Sequence, residues 1–158
     1  MSRAREVEVK LENPITVHSQ GQIEECDTVL LIAPSTRHRK DASMIKSMCS
    51  AMIVEAGKKS KDDESETPKD KPEEKLTPQM FMMIMSSHDA TGQKLSELYD
   101  AFKNMLMNGC GSVCNEKITV AIFDQLAFED LETLFGEYCL SFLLHSLLNS
   151  KNGGDGRS

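Results

Sequence analysis

The stretch from residue 58 to residue 75 reads KKSKDDESETPKDKPEEK, with prolines at 68 and 72 and no aliphatic or aromatic side chain. A segment that buries no apolar surface cannot offset the entropy of ordering it. Any core must therefore come from what lies before and after. The pattern predicts a charged flexible linker over 58–75 and a first lobe over 1–57. A second lobe over 76–149 and a flexible tail, SKNGGDGRS, over 150–158 complete the division.

The first lobe reads as a sheet with one helix. Residues 6–11, EVEVKL, alternate charged and apolar side chains, as a half-buried strand does. Asn13-Pro14 interrupts the pattern and residues 15–17, ITV, resume it. In SQGQ, Gly21 is free to take positive φ and turn the chain. Residues 28–33, TVLLIA, form a third strand closed by Pro34. A sheet this small needs a helix on its apolar face. Ile45, Met48, Cys49, Met52, Ile53 and Ala56 recur at the spacing of one helix face, with Ser35 or Thr36 as cap and Gly57 as stop. Cys49 falls inside that stripe and reads as a buried, inert thiol.

The second lobe reads as helices. Leu76-Thr77-Pro78 is a helix start, followed by Phe81, Ile84 and Met85 on one face. Asp89 or Thr91 opens another helix carrying Leu95, Leu98, Tyr99, Phe102, Met105 and Leu106, which Asn108-Gly109 ends. A short amphipathic turn follows Thr119. Residues 128–148 then form a long helix with Leu131, Leu134, Phe135, Tyr138, Phe142 and Leu143 on its apolar side. Glu129, Asp130 and Glu132 suit its positive N-terminal end. The expected class is α+β: a small antiparallel sheet with one helix, then a helical lobe.

Composition narrows the function. A formal net charge of −7 disfavours nucleic acid, whose phosphates need a basic face. The longest apolar stretch, near residues 140–148, is broken by Ser141, His145 and Ser146 and is too short to span a membrane. No export signal opens the chain, so a cytoplasmic protein is expected. Five scattered cysteines, Cys26, Cys49, Cys110, Cys114 and Cys139, then read as reduced thiols rather than a disulfide framework.

The run NGCGSVCN concentrates the chemistry that remains. Cys110 and Cys114, with Cys139 and His145, offer four zinc-ligand types. Cys139 and His145, however, are about 240° apart around a helix. A redox pair is disfavoured too, since both cysteines follow a helix C-terminus. The favoured reading is a bend made by Gly109 and Gly111, with Cys110 and Val113 tucked beneath it. A small metal-binding regulator or adaptor using Cys110 and Cys114 stays as the alternative. No nucleophile–base pair, G-x-S-x-G or phosphate loop is present, so neither an enzyme nor a cofactor is expected.

Ten methionines supply much of the apolar volume. Most read as core, but methionine surfaces also adapt to varied partners. Met82, Met83, Met105 and Met107 are the candidate partner-binding residues, suited to an apolar helix laid in a groove.

Two segments carry a family resemblance. VEVKLENPITV, the return strand LLIAPS and the following TRHRKDASMI resemble the N-terminal part of the tail assembly chaperones of long-tailed bacteriophages. FDQLAFEDLETLFGEYCLSFL is similar to their closing pattern. Together the likeness spans 7–56 and 92–148. It implies a chaperone that coats the long helical tape measure protein, keeps its apolar stripes soluble and helps bring tail tube subunits to it. Such a protein works in the host cytoplasm and is absent from the mature virion. A protein that coats a rod meets its own neighbours, so homo-oligomers are expected. The family is often made in two lengths by frameshifting, and NGGDGRS fits a short form or a linker into a longer one.

Overall fold

The computed structural model describes residues 5–63 and 77–144. Strand β1 (Glu6–Ser19) and strand β2 (Gln22–Ile32) form an antiparallel hairpin. Its two-residue turn, Gln20-Gly21, has positive φ at both positions, 53° and 76°, the geometry that matches strand twist. Pro14 does not end the strand as expected. Residues 11–14 instead stand opposite Asp27 alone, in a bulge between the pairs Lys10–Thr28 and Ile15–Cys26. Proline is tolerated there because β1 is an edge strand and a bulge needs no ladder hydrogen bond from it.

Two further strands, one inside NGCGSVCN and one just after it, form where only a bend is expected. Strand β3 (Gly111–Val113) pairs antiparallel with β2 through Val29–Val113, Leu30–Ser112 and Leu31–Gly111. It turns through Cys114-Asn115, again with positive φ (51° and 64°), into strand β4 (Glu116–Lys117). The sheet order is β1-β2-β3-β4. Three residues are too few for periodicity to reveal, and β2 supplies the template they pair with.

The helices follow their capping signals. After a 3₁₀ turn at Thr36–His38 comes α1 (Arg39–Asp63). Next is α2 (Pro78–Ser87), whose cap Thr77 accepts from Met80 N–H at 3.1 Å. In α3 (Gln93–Met105) the free N–H groups of Lys94 and Leu95 donate to the Asp89 carboxylate at 3.2 and 2.8 Å. Thr119 caps α4 (Val120–Gln125), and α5 (Phe128–Tyr138) runs on into a π-helical turn at Cys139–Leu143. Gly57 does not stop α1. Helix continues into the charged run as far as Asp63, because Lys and Asp are residue types a helix accommodates and one glycine costs only about 1 kcal/mol. Residues 64–75 of the expected linker, residues 145–148 of the expected final helix with His145, and the tail over 150–158 lie outside the described residues.

The α+β class holds. One core runs from Val9, Val29 and Leu31 of the sheet to Phe81, Phe102, Phe135 and Tyr138 of the helices. Helix α1 packs on α3, and α2 on α5. Phe135 sits at the centre, with its ring 5.4 Å from both Tyr99 and Phe102 and 6.2 Å from Phe81. Among the described residues, no helix is long and apolar enough to cross a membrane.

Two side chains tie the α4–α5 corner to the sheet edge. Asp130, only 3% exposed, accepts the backbone N–H groups of Glu12 and Asn13, each at 3.0 Å, and Asn13 Nδ2 at 3.2 Å. Gln125 both accepts from Thr16 N–H and donates to Thr16 C=O, at 2.8 Å each. Its amide does what one residue of a neighbouring strand would do, and so blunts that part of the edge.

Replacing Asp130 by Ala strands two bulge N–H groups, and urea unfolding should register a loss of about 1–3 kcal/mol. Asp130→Asn keeps one acceptor oxygen and should fall between. Phe135→Asp puts an unpaired charge into the aromatic centre and should abolish cooperative melting. The same change at half-buried Phe142 should cost less.

Candidate functional site

Helix α2 enters the fold at Pro78 and lies directly on α5. The approach is close because residue 136 is glycine: a Cβ there would stand 3.0 Å from Pro78 Cβ and 3.1 Å from Pro78 Cα. Below that contact Phe81 and Met85 turn into the core. Above it the helices leave a groove of about 620 Å³ lined by Pro78, Gln79, Met82, Met83, Ser86 and Ser87 on one side and Glu129, Glu132 and Thr133 on the other, with Glu12 of the β1 bulge at one end. Met82 is 7% exposed and forms floor, whereas Met83 is 70% exposed and stands free at the wall.

The rim is acidic. Glu12 and Glu129 are exposed and Glu132 is half-buried. Their positions follow from the Asp130 clasp, which brings the bulge against the first turn of α5. A flexible thioether floor with carboxylates along its α5 side suits a helix that pairs an apolar stripe with lysine or arginine at one flank.

The four candidate methionines separate. Met82 and Met83 meet in this groove. Met105 is fully buried in the core, and Met107 is half-buried against the same core. Helical spacing placed these residues on apolar faces but carried no sign of which face the other helices cover. The acidic rim was missed as well, because Glu12 is more than a hundred residues away from Glu129 and Glu132 in sequence.

The cysteines also rearrange. Cys110 and Cys114 form no pair: Cys110 is fully buried and meets the Tyr138 hydroxyl, while Cys114 is disulfide-bonded to Cys26 across 88 residues. The expectation that all five thiols are reduced gives way here, because β3 pairing on β2 carries the Cys114 turn to Cys26. Cys49 and Cys139, both fully buried, are hydrogen-bonded to each other. Burial pushes the Cys139 thiol well above its usual range, and the Cys49 contact adds to the shift. These thiols are apolar filling.

The glycines of NGCG keep a backbone task. Gly109 has φ +108° and lies under the Arg37 guanidinium; Gly111 is extended, and a Cβ there would press on Leu106 and Ile118. Arg37 and His38 both reach the Asn108 carbonyl, at 2.9 and 2.8 Å. Ser35 N–H donates to His38 Nδ1 at 2.9 Å, so the ring proton sits on Nε2 and points at that carbonyl.

No family model, no curated protein and no solved structure matches this chain. The groove therefore has to be interpreted from its own chemistry.

Both tyrosines of the chain titrate abnormally high. Burial raises Tyr99, whose hydroxyl has no hydrogen-bond partner among the described residues, and the Glu132 charge raises it further. Burial also raises Tyr138, which donates to Ile32 C=O at 2.7 Å and is raised further by its bond with Cys110. A phenol held above its unfolded value of ~10 contributes stability that is complete below that pH and lost as pH climbs beyond it. Phenolate absorbance should thus appear only together with alkaline unfolding; ionisation of either tyrosine near pH ~10 in the folded protein would contradict this.

Proposed function

We propose that this protein is a tail assembly chaperone of a long-tailed bacteriophage. It binds the tape measure protein in the host cytoplasm, keeps it soluble, helps recruit tail tube subunits and is left out of the mature virion. The observation that carries the reading is the groove between α2 and α5, with Met82 and Met83 at its apolar surface and Glu12, Glu129 and Glu132 at its rim. A tape measure protein is a long helix with apolar stripes, and a methionine floor accepts many such stripes without demanding one sequence. Carboxylates along one side of the floor favour stripes flanked by basic residues and disfavour acidic ones.

The resemblance of VEVKLENPITV, LLIAPSTRHRKDASMI and FDQLAFEDLETLFGEYCLSFL to that family supports the same reading. The first two form the β1–β2 hairpin and the start of α1; the last forms α4, α5 and the turn beyond. Self-association along the rod is part of the proposal.

Co-expression with the tape measure protein encoded beside it should raise that partner's soluble fraction several-fold. An unchanged soluble fraction overturns the chaperone reading. Met83→Asp alters an exposed side chain, so melting should hold while solubilisation is lost. Retained solubilisation in that variant would move the binding surface off this groove and leave the chaperone reading standing.

A further inference from the structure

The Cys26–Cys114 bond lies on the sheet, away from the groove, with a carboxylate beside it. The sulfurs of Cys26 and Cys114 and a carboxylate oxygen of Glu24 all fall within 4.8 Å of one another. Glu24 precedes Cys26 by two residues in β2, the spacing that returns a strand to the same face. Cys114 arrives from the β3–β4 turn, whose positive φ at Cys114 and Asn115 carries it over β2. Three ligand-bearing side chains, from positions 24, 26 and 114, thus converge through sheet pairing.

We propose that reduction turns this cluster into a site for a thiophilic divalent cation, zinc above all, ligated by Cys26, Cys114 and Glu24 with water in the fourth position. Two thiolates and one carboxylate are donors zinc takes readily, in a tetrahedral shell that three protein ligands and a water complete. The two Cα atoms stand 6.5 Å apart. That leaves room for the side chains to part to the ~3.7 Å separating two sulfurs on one zinc ion.

The surroundings favour a cation. A cavity of about 350 Å³ beside the cysteines is lined by Glu8, Glu25 and Asp27, whose charges raise the local concentration of positive ions. Lys10 opposes them only in part, through an ion pair with Asp27 at 3.8 Å. Cys114 is exposed, so the ion has an open path.

The chemistry balances with a dithiol as reductant. It supplies two electrons and two protons, the Cys26–Cys114 bond breaks, each sulfur becomes a thiol, and the reductant closes into its own disulfide. Zinc then displaces both thiol protons to solvent. Bound there, it holds β2 to the β3–β4 turn wherever a dithiol reductant has removed the disulfide. The site thus keeps one clasp in two redox states. It is independent of the chaperone reading.

The test uses the full chain, reduced and then freed of reductant, with zinc and cobalt as probes. One equivalent of zinc should bind the reduced protein and none the oxidised protein. The cobalt form should show thiolate charge-transfer intensity for two sulfurs. Cys114→Ser, at an exposed position, should remove binding while the reduced protein still melts cooperatively, and Glu24→Gln should weaken it. Zinc should also raise the melting temperature of reduced protein only. Reduced protein that takes up no zinc overturns the proposal. So does equal uptake by both redox forms, or uptake that survives Cys114→Ser, since the ion would then sit elsewhere.

Discussion

The carboxylate of Asp130 accepts three hydrogen bonds from the bulge of β1, and much of the molecule is arranged around that contact. A buried carboxylate is tolerable only when its oxygens are satisfied, and bulge N–H groups freed from the ladder are suitable donors. The bulge needs the carboxylate in return, because its N–H groups face no strand. Each defect corrects the other, and together they hold the start of α5 against the first strand. Gln125 extends the join by pairing with Thr16.

From that join the rest of the helical layer takes its place. With α5 anchored at its first turn, Phe135 and Tyr138 point into the core, where Tyr138 also bonds the end of β2. Gly136 then admits Pro78 at close range, which seats α2 on α5. The groove above them follows. Its acidic rim combines residues from the bulge and from the first turns of α5, so the clasp that stabilises the fold also assembles the proposed binding surface.

The run NGCGSVCN has a larger part than a bend. Gly109 turns the chain under Arg37, Gly111 lets β3 pack tightly, and the Cys114-Asn115 turn ends beside Cys26. This short hairpin extends the first sheet with residues from the far side of the charged segment. Once β3 hydrogen-bonds to β2, the stretches before and after the charged segment share one apolar interior.

Local pattern was enough for the α+β class, the β1–β2 hairpin with its Gly21 turn, the cap at Thr77, Asp89 as one of two candidate starts for α3, the short helix after Thr119, and the burial of Cys49, Leu98, Phe102 and Phe135. Each of these depends on neighbours within a few residues, whose spacing the sequence displays directly. Tertiary structure decided the rest. It joined Asp130 to the bulge, brought Cys114 to Cys26 and Glu24, hid Met105 while leaving Met83 open, and set Glu12 beside Glu129 and Glu132. Those outcomes depend on which surfaces meet, and chain separations of about a hundred residues leave no periodic trace of a meeting.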